Sequence, residues 1–158
     1  MLTTIISGGQ TGADRGGLEA GEKLGLVTGG WIPKGFRTEN GAAPMMALQY
    51  NLQEHHSSKY PPRTKLNVKQ ADATLIVGNI NSSGSKLTAR CCMDMHKPYI
   101  VVPRHKAVVP IKLDILRLRR FLKNVTILNV AGNRESKNPG IQNFTKTLIV
   151  KAAKELIK

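Results

Sequence analysis

Four short apolar runs, Thr3–Ile6, Ala73–Val77, Tyr99–Val102 and Val125–Val130, are separated by segments whose apolar residues recur every third or fourth position. This alternation constrains the fold more than any other feature of the chain. A strand with one wet face alternates apolar and polar residues, whereas a strand covered on both faces is apolar almost throughout. Ile5-Ile6, Thr74-Leu75-Ile76-Val77, Ile100-Val101-Val102 and Ile127-Leu128-Asn129-Val130 are of the second kind. Strands of that kind, each followed by a helix, build a parallel sheet with helices on both sides.

The helical patterns fall at Asp14–Leu24, Arg63–Gln70, Ser85–His96, Ile111–Lys123 and about 140–157, the last with a core face of Ile141, Phe144, Leu148, Ala152 and Leu156. Gly16, Gly17 and Gly21 weaken the first helix intrinsically but let it sit close to a sheet or a partner. Leu26–Trp31 reads as a short strand. Residues 32–62, with Pro33, Gly35, Gly41, Pro44, Pro61 and Pro62, form the least regular part, with Tyr50–Leu52 as a short strand inside it. So long an irregular stretch in a compact domain is usually functional or mobile. The pattern predicts an α/β, Rossmann-like three-layer sandwich with a mainly parallel sheet, as one domain over 1–158. A chain of 158 residues is long enough for one real core. Aromatics make up only 4%, so Ile, Leu and Val must carry the packing.

Several classes are disfavoured. No run approaches the 18 apolar residues that would span a membrane. The opening Met1-Leu2-Thr3-Thr4-Ile5-Ile6 reads as a strand, not as a signal peptide. Cys91 and Cys92 are adjacent and are the only cysteines, so no unstrained disulfide is expected and a reducing, cytoplasmic location is predicted. His55, His56, His96 and His105 lack ligand spacing with the cysteines, so no protein-held metal is expected. The net charge is +14, from 24 Lys and Arg against 10 Asp and Glu, which favours anionic partners. The basic residues are scattered. In Ile111–Lys123 the predicted core stripe is Ile111, Ile115, Leu118 and Leu122, and Lys112, Arg117, Arg119, Arg120 and Lys123 lie off it. They form either a solvated basic face or a nucleic-acid contact, of which the former is favoured.

Chemistry concentrates in three loops that leave strand ends. Ser7-Gly8-Gly9-Gln10-Thr11-Gly12-Ala13-Asp14-Arg15 offers backbone able to approach a ligand, followed by a helix N-terminus. It is not a P-loop, lacking Lys-Ser or Lys-Thr after the glycines, and not a full dinucleotide fingerprint, since Ser7 takes the first glycine position. The alternative is a tight turn, and Asp14 either caps the helix or touches the ligand. In Asn79-Ile80-Asn81-Ser82-Ser83-Gly84-Ser85-Lys86-Leu87-Thr88, Ser83, Ser85 and nearby N–H groups either cradle an anion or cap a helix. In Asn129–Gly140, Arg134 is placed to pair with a phosphate or oxyanion and Glu135 to orient it or accept from a ligand amine, against the alternative of a solvated loop. All three loops should fall on one edge of the sheet, where such folds bind ligands.

These residues resemble the molybdenum-cofactor carrier family. The resemblance rests on Ile5–Arg15, on Gly29-Gly30-Trp31-Ile32-Pro33-Lys34-Gly35 with Arg37, Glu39 and Gly41, and on Arg63-Thr64, Asn67-Val68 and Ala71–Ile76. Leu87-Thr88, Lys97-Pro98, Leu128–Ser136 and Pro139-Gly140-Ile141 complete it. It implies a carrier of molybdopterin-type cofactor, often an oligomer, within a Rossmann-like group that includes nucleotide-handling proteins and phosphoribohydrolases. Asn133 stands where Pro is expected, and Ser83-Gly84-Ser85 where Gly-Gly-Thr is common. The related hydrolases carry Gly-Gly-x-Gly-Thr-x-x-Glu. Thr88 falls on that Glu and cannot act as a carboxylate acid or base, although Glu19, Glu39 and Glu135 are candidate substitutes. The carried cofactor has a phosphate at one end and an anionic oxo-metal dithiolene at the other. The expected ligand-binding set is therefore Ser7, Gly8, Gly9, Gln10, Thr11, Gly12, Asp14, Arg15, Lys34, Arg37, Ser83, Gly84, Ser85, Thr88, Asn133, Arg134, Glu135 and Ser136, with no catalytic residue and with Lys34 and Arg37 closing over the ligand. The rival reading is a nucleotide-processing hydrolase.

Overall fold

The computed structural model describes residues 1–104 and 106–157. In chain order the elements are β1 (Thr4–Ser7), α1 (Ala13–Lys23), β2 (Val27–Ile32), β3 (Arg37–Thr38), β4 (Gly41–Ala42), α2 (Pro44–Gln49) and β5 (Leu52–Glu54). They continue with α3 (Tyr60–Gln70), β6 (Ala73–Val77), α4 (Ser83–Asp94), β7 (Tyr99–Val102), α5 (Lys112–Leu122), β8 (Ile127–Gly132) and α6 (Ile141–Ala153). Six strands form one sheet in the order β5-β2-β1-β8-β6-β7, every pairing parallel. This is the expected α/β, Rossmann-like architecture. The chain builds outward on one side through β1, β2 and β5 and on the other through β6 and β7. It returns to lay β8 between β1 and β6, with Ile6 opposite Asn129 and Asn129 opposite Thr74.

α1, α5 and α6 cover one face and enclose the main core, which includes Ile5, Leu75, Val77, Leu118, Leu122, Leu128, Val130, Phe144 and Leu148. The glycines of α1 allow close packing. A Cβ at Gly16 would lie 2.3 Å from the Gln142 carbonyl oxygen of α6, and one at Gly17 would lie 2.6 Å from Val130 Cβ. α3 and α4 cover the other face, where Val68, Cys91 and Cys92 form a smaller cluster. Both cysteines are free and buried, and burial pushes both thiols up from their ordinary pKa. They are packing residues. Among the described residues no helix is long and apolar enough to cross a membrane.

Four expectations are corrected. Residues 32–62 are not an irregular loop: they hold the β3–β4 hairpin, α2 and β5. The strand expected at Tyr50–Leu52 lies at Leu52–Glu54, because Tyr50 is the C-cap of α2 and packs beside Leu18 and Ile32. α3 begins at Tyr60 and not at Arg63. Pro61 and Pro62 fall in its first turn, where the missing N–H groups would have had no helical partner anyway. In α5, Leu118 and Leu122 are buried as predicted, but Ile111 is 57% exposed and precedes the helix.

Candidate functional site

A cleft of about 620 Å³ opens at the carboxyl ends of β1 and β8, between α3 and α4. The alternation of β8 explains it. Leu128 and Val130 point into the main core. Asn129 and Ala131, on the opposite face, line the cleft. One is small and the other polar, so this face of the central strand lacks the bulk needed to close the gap between the two helices. The amide of Asn129 donates to Thr74 Oγ1 at 3.3 Å. Asn67 of α3 also lines the cleft and clamps β2, accepting from the Trp31 N–H at 2.8 Å and donating to its carbonyl at 3.1 Å.

Arginines dominate the electrostatics. Arg37, Arg63 and Arg134 lie 5.3, 5.4 and 4.8 Å from the centroid of the Tyr60 ring. They come from β3, α3 and the loop after β8, and each gains from the ring quadrupole. Arg63 pairs with the buried Asp14 at 3.6 Å. Asp14 also accepts the Gln10 N–H at 3.2 Å. Burial pushes the Asp14 carboxyl up, against the pull of Arg63, and pushes the Arg63 guanidinium down, against the pull of Asp14. Desolvation thus outweighs mutual attraction, as buried pairs commonly show. Arg63 and Arg134 act on the Asp14 carboxylate, and Arg134 also on Glu39, so three guanidinium groups stand against two carboxylates and leave a local excess of positive charge. Gly8 is what admits Arg63: a Cβ there would lie 1.3 Å from Arg63 Nη1.

The loops are tied together by polar side chains. Glu39, in the β3–β4 turn, accepts from the hydroxyls of Thr11 and Ser136 and from the Ser136 N–H. Burial raises its pKa, but the hydrogen bonds from Ser136 and Thr11 and the charge of Arg134 outweigh this and hold it below the ordinary value. Asn133 braces the loops after β6 and β8. Its Oδ1 accepts from the Asn79 N–H at 2.6 Å, and its amide donates to the Asn79 carbonyl at 3.2 Å and to Ser82 Oγ at 3.0 Å. A proline at this position could make none of these bonds.

The structure divides the expected site residues. Gly8, Gln10, Asp14, Ser83, Gly84, Thr88, Asn133 and Arg134 line the cleft, and Arg37 stands at its margin on the Tyr60 ring. Gln10 donates through Nε2 to the Arg37 carbonyl at 2.9 Å, while its buried Oε1 has no partner. Thr88 donates to the Gly84 carbonyl at 3.0 Å. The others shape the loops and do not line the cleft. Ser7 Oγ accepts the Gly9 N–H at 3.2 Å. A Cβ on Gly9 would point at Leu52 and Ile32, so that side of the glycine faces packing. Gly12 has φ +79° and presses on Asn133, and the Ala13 N–H donates to the Asn133 carbonyl, so this first-turn donor of α1 is committed. Ser85 is buried, and its N–H lies 3.4 Å from the capping Ser82 Oγ. Thr11 and Ser136 serve Glu39. Glu135 accepts from the Gly140 and Gln142 N–H groups and so caps α6 without orienting Arg134. Asp14 makes no side-chain cap, since the cap position is Gly12. Arg15 lies outside the cleft, and Lys34 is an exposed residue whose N–H donates to Ser57.

Tyr60, Arg63, Asn67, Asn79, Ser82, Asn129 and Lys137 were missing from the expected set. The signal available for Arg63 was its place in the resembling block Arg63-Thr64; nothing local marks Tyr60. Among the described residues no group of three or more His, Cys, Asp or Glu is placed to hold a metal ion.

A model of the circularly permutated YpsA SLOG family matches residues 5–153. The crystal structure of a putative molybdenum carrier protein from Syntrophus aciditrophicus SB is similar at 35% identity and a TM-score of 0.82, with 96% of this chain and 94% of that chain covered. No match was found among curated proteins.

Proposed function

This chain belongs to the circularly permutated YpsA SLOG family, and from that premise we propose that it is a binding and carrier protein for an anionic, phosphate-bearing small molecule of the molybdopterin type. The observation that carries the reading is the convergence of Arg37, Arg63 and Arg134 on Tyr60 at the cleft. Guanidinium forks match phosphate oxygens in charge and geometry. Gln10 Oε1 offers an acceptor for a pterin N–H, and the N-terminal turn of α4 at Ser83 and Gly84 provides a second, weaker anion-favouring end. A ligand with charge at two ends and a flat polar middle suits this lining. The similar protein's description as a molybdenum carrier supports the same ligand class.

Carriage is favoured over hydrolysis because the candidate carboxylates for the role lost at Thr88 are committed. Glu39 clasps two loops, Glu135 caps α6, and Glu19 pairs with Lys146 at 3.3 Å on the α1–α6 side. The lining holds one carboxylate, Asp14, and Arg63 occupies it. The ligand itself is best identified by mass spectrometry of what purified protein releases on denaturation. Calorimetry with a phosphate-bearing pterin then tests the site. Arg134→Ala should weaken binding about ten- to a hundredfold, the value of one charge-assisted hydrogen bond, while Lys154→Ala should change little. Equal affinity in wild type and Arg134→Ala would remove the proposal's main support.

A further inference from the structure

α5 is apolar on two sides. Leu118 and Leu122 enter the core, with Ile115 and Phe121 packed partly against it. On the opposite side Leu113 and Leu116 are 61% and 46% exposed, and in the preceding segment Val108, Val109 and Ile111 are more than half exposed. At the helical period Leu113, Leu116 and Arg120 fall within about 60° of one another, facing away from the core. Lys112, Arg117 and Lys123 flank them, all exposed. Asp114 is taken by Arg117 at 3.5 Å, and no ion pair among the described residues involves Lys112, Arg120 or Lys123. Beside this face Arg119 grips the end of α6 through the Lys151 and Ala152 carbonyls and is neutralised by Glu155 at 2.6 Å, while the exposed Lys151 and Lys154 add cations there.

We propose that this face of α5 docks on an anionic lipid surface, with Leu113 and Leu116 entering the acyl boundary while Lys112, Arg117, Arg120 and Lys123 meet the headgroup phosphates. The charge selects an anionic partner, because a second copy of the chain would set the same cations against one another at a net charge of +14 each. The leucines select lipid. A nucleic-acid backbone offers them nothing to enter, whereas an interfacial helix combines this apolar wedge with a basic rim. α5 lies on the sheet face opposite α3 and α4, so docking leaves the cleft open to water.

Sedimentation of the full chain with lipid vesicles tests this. The chain should bind vesicles of phosphatidylcholine mixed with phosphatidylglycerol and not vesicles of phosphatidylcholine alone. Each cation near the surface is worth about fivefold in partition, so Arg120→Glu with Lys123→Glu should reduce binding well over tenfold. Leu113→Gln with Leu116→Gln should reduce it by at least about tenfold. Both leucines are exposed, so unchanged circular dichroism is expected and checks folding. The proposal is overturned by absence of binding to the mixed vesicles, or by equal binding of the leucine variant, which would mean diffuse charge alone. It is equally overturned if that variant converts an oligomer into monomers in sedimentation velocity, which would make the face a contact between copies, or if it abolishes tight duplex DNA binding.

Discussion

Two adjacent glycines have opposite jobs, and a single methyl group separates them. At Gly8 a Cβ would overlap Arg63 Nη1, the end of a long side chain able to swing away. Gly8→Ala should therefore bind a phosphate-bearing ligand more weakly, with Arg63 displaced, and should lose stability through the buried Asp14 left without its partner and not through backbone strain. At Gly9 the backbone has φ +68° and a Cβ would lie 2.6 Å from Leu52 Cδ1 in a packed cluster. Gly9→Ala should cost about 1–3 kcal/mol of stability, from left-handed strain and overpacking. Paired thermal melts and calorimetry on the two variants check the assignment, and a Gly9→Ala protein as stable as wild type would refute it. The run Gly8-Gly9 announces a special turn in the sequence, but which glycine admits a charge and which admits a core depends on Arg63 and Leu52, both more than 40 residues downstream.

Among the elements, the β3–β4 hairpin is tied to the loops after β1 and β8 by the Glu39 carboxylate and by the Gln10 amide. Glu39 has a pKa below its ordinary value of about 4.5, so the folded protein favours its charged form more than the unfolded chain does. The stabilisation it gives is therefore present above about pH 4.5 and is lost as pH falls through the lower, folded-state value. Wild type should melt above Glu39→Gln at neutral pH, and the gap should close in acid; a gap independent of pH would show that Glu39 does not act through its charge. The same hairpin carries Arg37, so loosening it should also weaken anion binding. The hairpin, α2 and the early start of α3 were not legible in residues 32–62. Their strands are two residues long, α2 has six residues, and Pro61 and Pro62 read as breakers although they sit in a helix's first turn. Elements this short give the hydrophobic period too few residues to register. β6 and β7, by contrast, lie where their apolar runs placed them: β6 is buried throughout, and β7, an edge strand with only Val102 fully buried, is bounded by Pro98 and Pro103.

For the molecule as a whole, the net charge of +14 is spread over several surfaces. Part converges on Tyr60 at the cleft, and part lies on α5 and the end of α6. Nucleic-acid binding should accordingly be weak and sequence-independent, with affinity falling steeply as salt rises. A gel-shift dissociation constant below about 10⁻⁷ M at physiological salt, tighter than non-specific binding usually is, would contradict this. The sequence by itself determined the class of fold, three interior parallel strands and a fourth, β7, that lies at the sheet edge and not at its centre, the buried faces of the long helices and the edge of the sheet where polar loops would gather. Those features follow from local periodicity, which burial imposes residue by residue. Only the tertiary structure decided that β8 lies between β1 and β6, that Asn129 and Ala131 hollow out a cleft, and that Arg37, Arg63 and Arg134 meet on one ring. Such placements are contacts between segments far apart in the chain. No window of neighbouring residues encodes them, and their energies depend on what the whole packing brings together.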